Sequence, residues 1–207
     1  MAGFFLTLEG GEGAGKTTIS TRLQEDLAKL LPEVLTTREP GYGPLGKAIR
    51  HMILDSEDID VTPKVEALLF AADRVQHVED YIRPALDRGA VVICDRYIDS
   101  SIAYQGYARG LGAESIADLS LWGTDGLIPN LTILIDLDPT VGISRKHGQE
   151  ETNKMEKLDL SFHETVRNAF LDIASVDTER IIIIDGNEDK ETVYQNVLSA
   201  VKTALGL

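Results

Sequence analysis

Five apolar runs, separated by stretches with helical periodicity, predict an α/β fold in three layers, with a five-stranded parallel sheet flanked by helices on both faces. The runs fall at residues 4–8, 33–37, 90–94, 131–136 and 180–185. Their continuous rather than alternating apolar character is that of strands buried on both faces. Three of them end in aspartate, at Asp95, Asp136 and Asp185, where such a sheet opens its ligand crevice.

The first run, Phe4-Phe5-Leu6 with Leu8, leads into Gly10, Gly11, Glu12, Gly13, Ala14, Gly15, Lys16, Thr17 and Thr18. Gly10, Gly15, Lys16 and Thr17 match the G-x-x-x-x-G-K-[ST] phosphate-binding loop at every fixed position. The glycines let backbone N–H groups converge on a phosphate, and the helix that follows adds its positive end. Lys16 is expected to reach the outer phosphates and the Thr17 hydroxyl to ligate Mg2+. A tight Gly-rich turn would be the bland alternative, but Ile19, Leu23, Leu27, Leu30 and Leu31 continue the chain as the required amphipathic helix.

The second run is followed by Arg38 and the third by Arg96, each either a solvated surface residue or part of a site. Two guanidiniums at neighbouring strand ends can hold phosphate through bidentate charge-assisted bonds, and with Lys16 they form a cationic site. Segment 62–88 opens with Thr62-Pro63, a cap followed by proline at the first helical position, and closes at Arg88-Gly89. Pro84 predicts that this helix ends or kinks near Arg83. Within it Phe70 and Arg74 share one face, although a lone Phe is more often core. After the fourth and fifth runs, Asp136 and Asp185 lead into turn-like sequence, so each is a metal or base candidate or simply a turn or cap residue. Segment 143–157 is the most polar part of the chain and reads as a mobile excursion, not a second domain; the expectation is one domain over residues 1–207.

Composition narrows the partners. The 207 residues carry a formal net charge of −14, the opposite of the basic field that nucleic acid or an anionic membrane requires. An anionic ligand must then be held by a few focused cations. With 43% hydrophobic and 26% charged residues, the chain has the balance of a globular domain. Its one cysteine, Cys94, lies inside an apolar run and reads as a small core residue. The N-terminal run is too short for a signal peptide and no segment reaches the length of a membrane span, so a cytoplasmic protein is expected. His51, His77, His147 and His163 have no paired metal-ligand spacing and read as surface or packing residues.

Three further stretches, beside the phosphate loop, carry a family resemblance: Arg38-Glu39-Pro40-Gly41, the run from Leu68 to His77, and Asp95-Arg96-Tyr97 through Asp99-Ser100-Ser101 to Tyr104-Gln105-Gly106. Over nearly its whole length the sequence resembles the thymidylate kinases, which transfer the γ-phosphate of ATP to dTMP. The resemblance implies the three-layer P-loop kinase fold with a short lid at about 143–157, ATP and Mg2+ as cofactors, dTMP as small-molecule substrate and a homodimer. By the same resemblance Phe70 stacks on thymine, Arg74 and Gln105 bond the base, Ser101 lies near it, and Tyr104 crowds the ribose 2′ position. Glu12 is similar to the acidic residue that contacts the sugar 3′-hydroxyl, and Arg38 would hold the acceptor phosphate.

An acceptor phosphate oxygen is ionised at neutral pH, so the expected catalysis is positioning and charge stabilisation by Lys16, Arg96 and Mg2+, with Asp95 assigned to the metal directly or through water. Glu12 beside a phosphate loop repels phosphate, so a hydroxyl-accepting role offsets an electrostatic cost; a solvent-facing Glu is the alternative. Arg145 is the lid candidate, to stack on adenine, whereas Lys154 stands where the family commonly has arginine. Gly41-Tyr42-Gly43-Pro44 departs from the family's Gly-Gly-Thr. A GTPase switch is the main rival of another class, but Asn153-Lys154-Met155-Glu156 has Glu in place of the Asp of its guanine-reading motif. A non-catalytic nucleotide-binding module and a kinase of another nucleoside monophosphate are the others.

Overall fold

The structure, a computed structural model, describes residues 3–146 and 153–207. The five apolar runs form β1 (Phe4–Glu9), β2 (Val34–Arg38), β3 (Val91–Asp95), β4 (Leu131–Asp136) and β5 (Ile181–Asp185), each starting within one residue of its expected position. All pairs are parallel, in the order β2-β3-β1-β4-β5. The order reverses at β1, and at such a switch point the crevice beyond the carboxyl ends is widest. Around the sheet lie α1 (Lys16–Leu27), α2 (Gly43–Arg50), α3 (Pro63–His77), α4 (Arg83–Asp87), α5 (Ile98–Ser101), α6 (Ala113–Gly123), α7 (Pro139–Lys146), α8 (Leu160–Val176) and α9 (Lys190–Leu205).

The period of two along the strands sends side chains to opposite faces. Leu6, Leu8, Ile93, Ile133 and Ile135 form one core with Leu23 and Leu27 of α1 and Val197 and Val201 of α9. On the other face Phe5, Val92 and Cys94 pack with Val78, Ile82 and Tyr97. Leu134 joins Val166 and Phe170 of α8 in a third cluster. Each fully buried Leu, Ile or Val contributes about 1.5–3 kcal/mol, so these clusters fix where the strand ends lie.

Several local expectations change in detail. The helix after the phosphate loop ends at Leu27; Leu31 is still buried, but Leu30 is 53% exposed. Thr62 occupies the cap position of α3, yet its side chain makes no capping bond. Pro84 does not end the helical path near Arg83. The chain stays helical from Pro63 to Asp87, with a π-helical turn at Val78–Ile82 directly before the proline. The wider turn shifts the hydrogen-bond pattern where the proline lacks an N–H and its ring would meet a carbonyl of the preceding turn. A second π-helical stretch, Ile102–Ala108, carries Tyr104 and Gln105.

Of segment 143–157, residues 143–146 complete α7, and residues 147–152, His147 among them, lie outside the described residues. Asn153 to Lys157 return to the body in turns: the Lys154 N–H donates to the Leu54 carbonyl at 2.9 Å, and Met155 is buried in the cluster that holds Ile53, Leu54 and Tyr104. One methionine thus anchors a stretch whose apolar periodicity is weak. At the other end of the segment, α7 touches the phosphate loop backbone to backbone. A Cβ on Gly142 would overlap the Glu12 carbonyl oxygen, and one on Gly13 would overlap that of Gly142. Among the described residues no helix is long and apolar enough to cross a membrane.

Candidate active site

The carboxyl ends of β1, β2 and β3 border a cavity of about 680 Å3. The loop after β1 curls around one end of it because Gly10, Gly13 and Gly15 adopt φ of 140°, 70° and 88°, values that residues with a Cβ rarely take. The N–H groups of Gly13, Ala14 and Gly15 make no hydrogen bond among the described residues, and these three residues line the cavity. Unpaired amides converging at a helix start are a fit for a phosphate chain. Lys16 is buried and donates to the carbonyls of Gly10 at 3.0 Å and Gly11 at 2.8 Å. Burial, aided by the neighbouring Arg96 charge, brings its ammonium pKa down to about 8, although Asp95, Glu12 and Glu9 pull the other way. Thr17 donates its hydroxyl to Asp95 Oδ2 at 2.7 Å, and both line the cavity together with Thr18. A hydroxyl and a carboxylate oxygen side by side are ligands of the kind a hard divalent cation takes. Gly10 and Gly11 sit behind the rim, as acceptors for Lys16.

Arg96 follows β3 with φ of 69°, in the left-handed region, which costs a non-glycine residue of order 1–3 kcal/mol. That conformation turns its guanidinium across the crevice. It donates to Glu12 Oε1 at 2.6 Å, to the Gly10 carbonyl and Ser100 Oγ at 3.1 Å, and to the Tyr104 hydroxyl at 3.3 Å. Tyr104 itself donates to Glu12 Oε1 at 3.1 Å. Burial opposes the charge on Arg96, but Tyr104, Glu12, Asp95 and Glu9 hold its pKa above the ordinary guanidinium value. Under this layer Glu9, fully buried, accepts from the Tyr97 N–H at 2.8 Å and Ser100 Oγ at 2.5 Å; burial and nearby Asp99 push it up to about 7.

The far end of the cavity is lined by Phe70, Arg74, Ser101, Tyr104 and Gln105. Phe70 is half-buried: it packs against the cluster around Tyr104 and also lines the cavity. Arg74 is 3% exposed and donates to Glu39 Oε2 at 2.8 Å, Ser120 Oγ at 3.1 Å, the Tyr97 carbonyl at 3.1 Å and Ser101 Oγ at 2.9 Å. Four of the five guanidinium N–H groups are therefore used, leaving one for a ligand. Glu39 also pairs with His77 Nδ1 at 2.9 Å, and His77 Nε2 lies 2.7 Å from Thr37 Oγ1. With both ring nitrogens engaged, the Glu39, His77 and Cys94 group is a hydrogen-bonded support for Arg74 and not a metal centre. His163 is buried in α8, while His51 is exposed. Tyr42, in the departure from the family pattern, stacks on His77 with ring centroids 4.8 Å apart and tilts against Tyr81 at 4.7 Å.

Arg38 ends β2, exposed on the cavity wall, and its side chain makes no hydrogen bond or ion pair among the described residues. Arg50 of α2 lines the same wall and donates to the Pro40 carbonyl at 3.3 Å; burial and the charge of Arg38 lower its pKa. Arg50 was not foreseen, since its only local signal is a cation in the last turn of a short helix. Asp73 was also not foreseen: it accepts from the Gly41 N–H at 3.2 Å, its Oδ2 is buried without a partner, and burial with nearby Glu39 pushes it up to about 6. Arg145 of α7 reaches the carbonyls of Gly13 and Gly186, both at 3.4 Å. Lys154 is instead tied to the Ile59 carbonyl and does not line the cavity. Neither does Asp136, held bidentately by Arg167 at 2.7 and 2.9 Å, nor Asp185, which accepts from the Asn187 N–H at 2.9 Å. Asn153 caps its own turn by accepting from the Met155 and Glu156 N–H groups.

The sequence profile described as Thymidylate kinase matches residues 8–197. A thymidylate kinase of Clavibacter sepedonicus is 47% identical over 198 residues, which span 95% of this chain and 93% of that protein. One of Deinococcus radiodurans is 43% identical over 199 residues, 96% of each chain. Among solved structures, the thymidylate kinase from Ehrlichia chaffeensis superposes with a TM-score of 0.81 at 32% identity, covering 97% of this chain and all of that one.

The depressed pKa of Lys16 sets a pH dependence. A lysine with a lowered pKa holds its proton below about pH 8 and loses it above, where an unperturbed lysine stays charged to about pH 10. Calorimetric titration with tripolyphosphate from about pH 6 to pH 10 should therefore show the wild type losing affinity relative to Lys16→Met as pH rises through about 8, by up to tenfold per unit, the variant's own profile carrying only the titration of the ligand and of the remaining groups.

Proposed function

The chain belongs to the thymidylate kinase family, and from that premise we propose that it transfers the γ-phosphate of ATP to dTMP, giving ADP and dTDP for dTTP synthesis. The observation that carries this reading is the pairing, in one cavity, of a phosphate loop with unbonded amides and a second cationic wall formed by Arg38 and Arg50. One anion site serves a binding protein; two, facing each other, serve transfer.

In this reading the Gly13–Thr18 backbone and Lys16 hold the donor phosphates, Lys16 exchanging its carbonyl partners for phosphate oxygens. Arg38, which has no competing partner, and Arg50 hold the acceptor phosphate. An acceptor phosphate oxygen then forms the new bond to the γ-phosphorus, and the bond to the bridging oxygen of ADP breaks. Arg96 spans the gap, its guanidinium fixed by Glu12, Tyr104 and Ser100 toward charge that grows on the transferred group. Thr17 and Asp95 are the residues that would hold Mg2+, which when bound screens the phosphate oxygens. Phe70 gives the thymine a face to stack on, and Gln105 and the remaining Arg74 N–H meet its edge. Ser101 keeps Arg74 in register, and Tyr104 fills the space a 2′-hydroxyl would need. Glu12 would accept from the sugar 3′-hydroxyl. Arg145, already across the phosphate loop, covers adenine as part of a lid at about 143–157 of a single kinase domain over residues 1–207. ATP and dTMP are multiply charged and do not cross a bilayer unaided, so the reading includes a cytoplasmic location.

The homodimer belongs to the same proposal. Helices α3 and α6 pack together and leave Val65, Leu68, Leu121 and Trp122 exposed, Trp122 at 81%. Apolar side chains of this size on adjoining helices are what an isologous interface covers.

Three outcomes are expected. ADP formation from ATP and Mg2+ should require an acceptor and be fastest with dTMP among dTMP, dUMP, dCMP, dGMP and dAMP; hydrolysis indifferent to the acceptor would mean an ATPase or a switch. Arg96→Ala should lower kcat by about 10²–10³ while changing dTMP binding far less, and equal efficiency in the variant would remove its role. Sedimentation should give twice the chain mass, reverting to one chain in Trp122→Glu; a wild-type monomer at micromolar concentration would rule the dimer out.

A further inference from the structure

Gln105 is 2% exposed, borders the far end of the cavity, and has a side chain that could face it either way, with its carbonyl or its amide NH2. The protein fixes which. Its Nε2 donates to Glu66 Oε1 at 2.9 Å, and the Oε1 of Gln105 has no hydrogen-bond partner among the described residues. Glu66 lies on α3, is 3% exposed and does not line the cavity, so it sits behind Gln105. Arg109 in turn pins Glu66, donating from Nε to Oε1 at 3.2 Å and from Nη2 to Oε2 at 3.0 Å. Arg109 is itself fixed, its guanidinium 5.2 Å from the Phe162 ring centre and its Nη2 3.6 Å from Met155 Sδ.

A carboxylate facing a guanidinium only accepts hydrogen bonds. With the amide NH2 turned to Glu66, the carbonyl of Gln105 is left for the ligand. We propose that Glu66, held by Arg109, is a positioning residue for base specificity: it locks the Gln105 carbonyl toward the base, so that the site accepts a pyrimidine with an N3–H and rejects one with a bare N3. Thymine and uracil carry that proton; cytosine presents a lone pair there, and two facing acceptors repel. This inference rests on the reading of the acceptor as dTMP, and extends it to a residue that never touches the ligand.

Glu66→Met removes the acceptor that fixes the amide. Glu66 Oε1 takes both Gln105 Nε2 and Arg109 Nε, so a glutamine would keep its carbonyl there and leave Gln105 as it is; a methionine leaves the amide NH2 with no carboxylate behind it, and Gln105 turns freely and offers a donor to the base. Turnover with dTMP, dUMP and dCMP in the wild type and in Glu66→Met reads the effect. The variant should lose about tenfold in kcat/KM for dTMP and for dUMP together, mostly through KM, while dCMP holds or improves, so that discrimination against dCMP falls at least about fivefold. The dUMP to dTMP ratio should stay put, because methyl recognition is not involved. A merely structural role would weaken all three acceptors in parallel, and a dTMP to dCMP ratio kept within about twofold would overturn the proposal. Thermal melting checks the fold; should Glu66→Met melt early because Arg109 is left unpaired, Glu66→Met with Arg109→Met removes the acceptor and the stranded charge together, and discrimination should fall as in the single variant. A wild type without dTMP-dependent turnover would sink the kinase reading itself, a result distinct from an unchanged ratio in an active variant.

Discussion

The guanidinium of Arg74 is the point on which the site's geometry depends. From α3 it bonds Glu39 after β2, the Tyr97 carbonyl between β3 and α5, Ser101 at the end of α5, and Ser120 on α6. Five segments of chain are thus referred to one planar group whose directions are fixed. Because Arg74 and Glu39 are both buried, removing either leaves an uncompensated charge, a loss on the order of 3–5 kcal/mol. His77 and Tyr42 close the back of this arrangement, so the loop that departs from the family pattern is packed into its support.

Charge is distributed against the average. A chain with a net charge of −14 gathers Lys16, Arg38, Arg50, Arg74, Arg96 and Arg145 on one cavity. An acidic exterior gives nonspecific polyanions little to bind, while the focused field inside favours a small, highly charged ligand. The carboxylates among these cations have structural partners, Glu12 at Arg96 and Glu39 at Arg74, and behind the cavity Glu66 holds Gln105. Where acid and base alternate, at Arg74 and Arg96, the guanidiniums are held in place before any ligand arrives.

The strands and the phosphate loop were legible in the sequence because each is a local pattern, whereas the strand order that puts the switch point at β1 came only with the sheet. Continuous apolar runs make strands buried on both faces, and the glycines between Gly10 and Thr18 allow the tight path from strand to helix. Phe70 and Arg74 were legible as one helical face. The course of the chain past Pro84 was not, since a π-helical turn is decided by what the flanking residues Val78 and Ile82 pack against. Arg50 and Asp73 were invisible for a related reason: a charged residue on a helix reads as solvated until the neighbour across the crevice is known.

By itself, then, the sequence determined the class of fold and the phosphate-loop pattern, which follow from spacing along the chain, while the residues proposed to read the base came from the family resemblance. Only the tertiary structure decided that Arg38 stands unpaired while Lys154 is drawn to the Ile59 carbonyl, and that Arg74 has one N–H left. It also decided which way the Gln105 amide faces, because a hydrogen-bond direction depends on a partner 39 residues away in sequence that only folding brings within 2.9 Å.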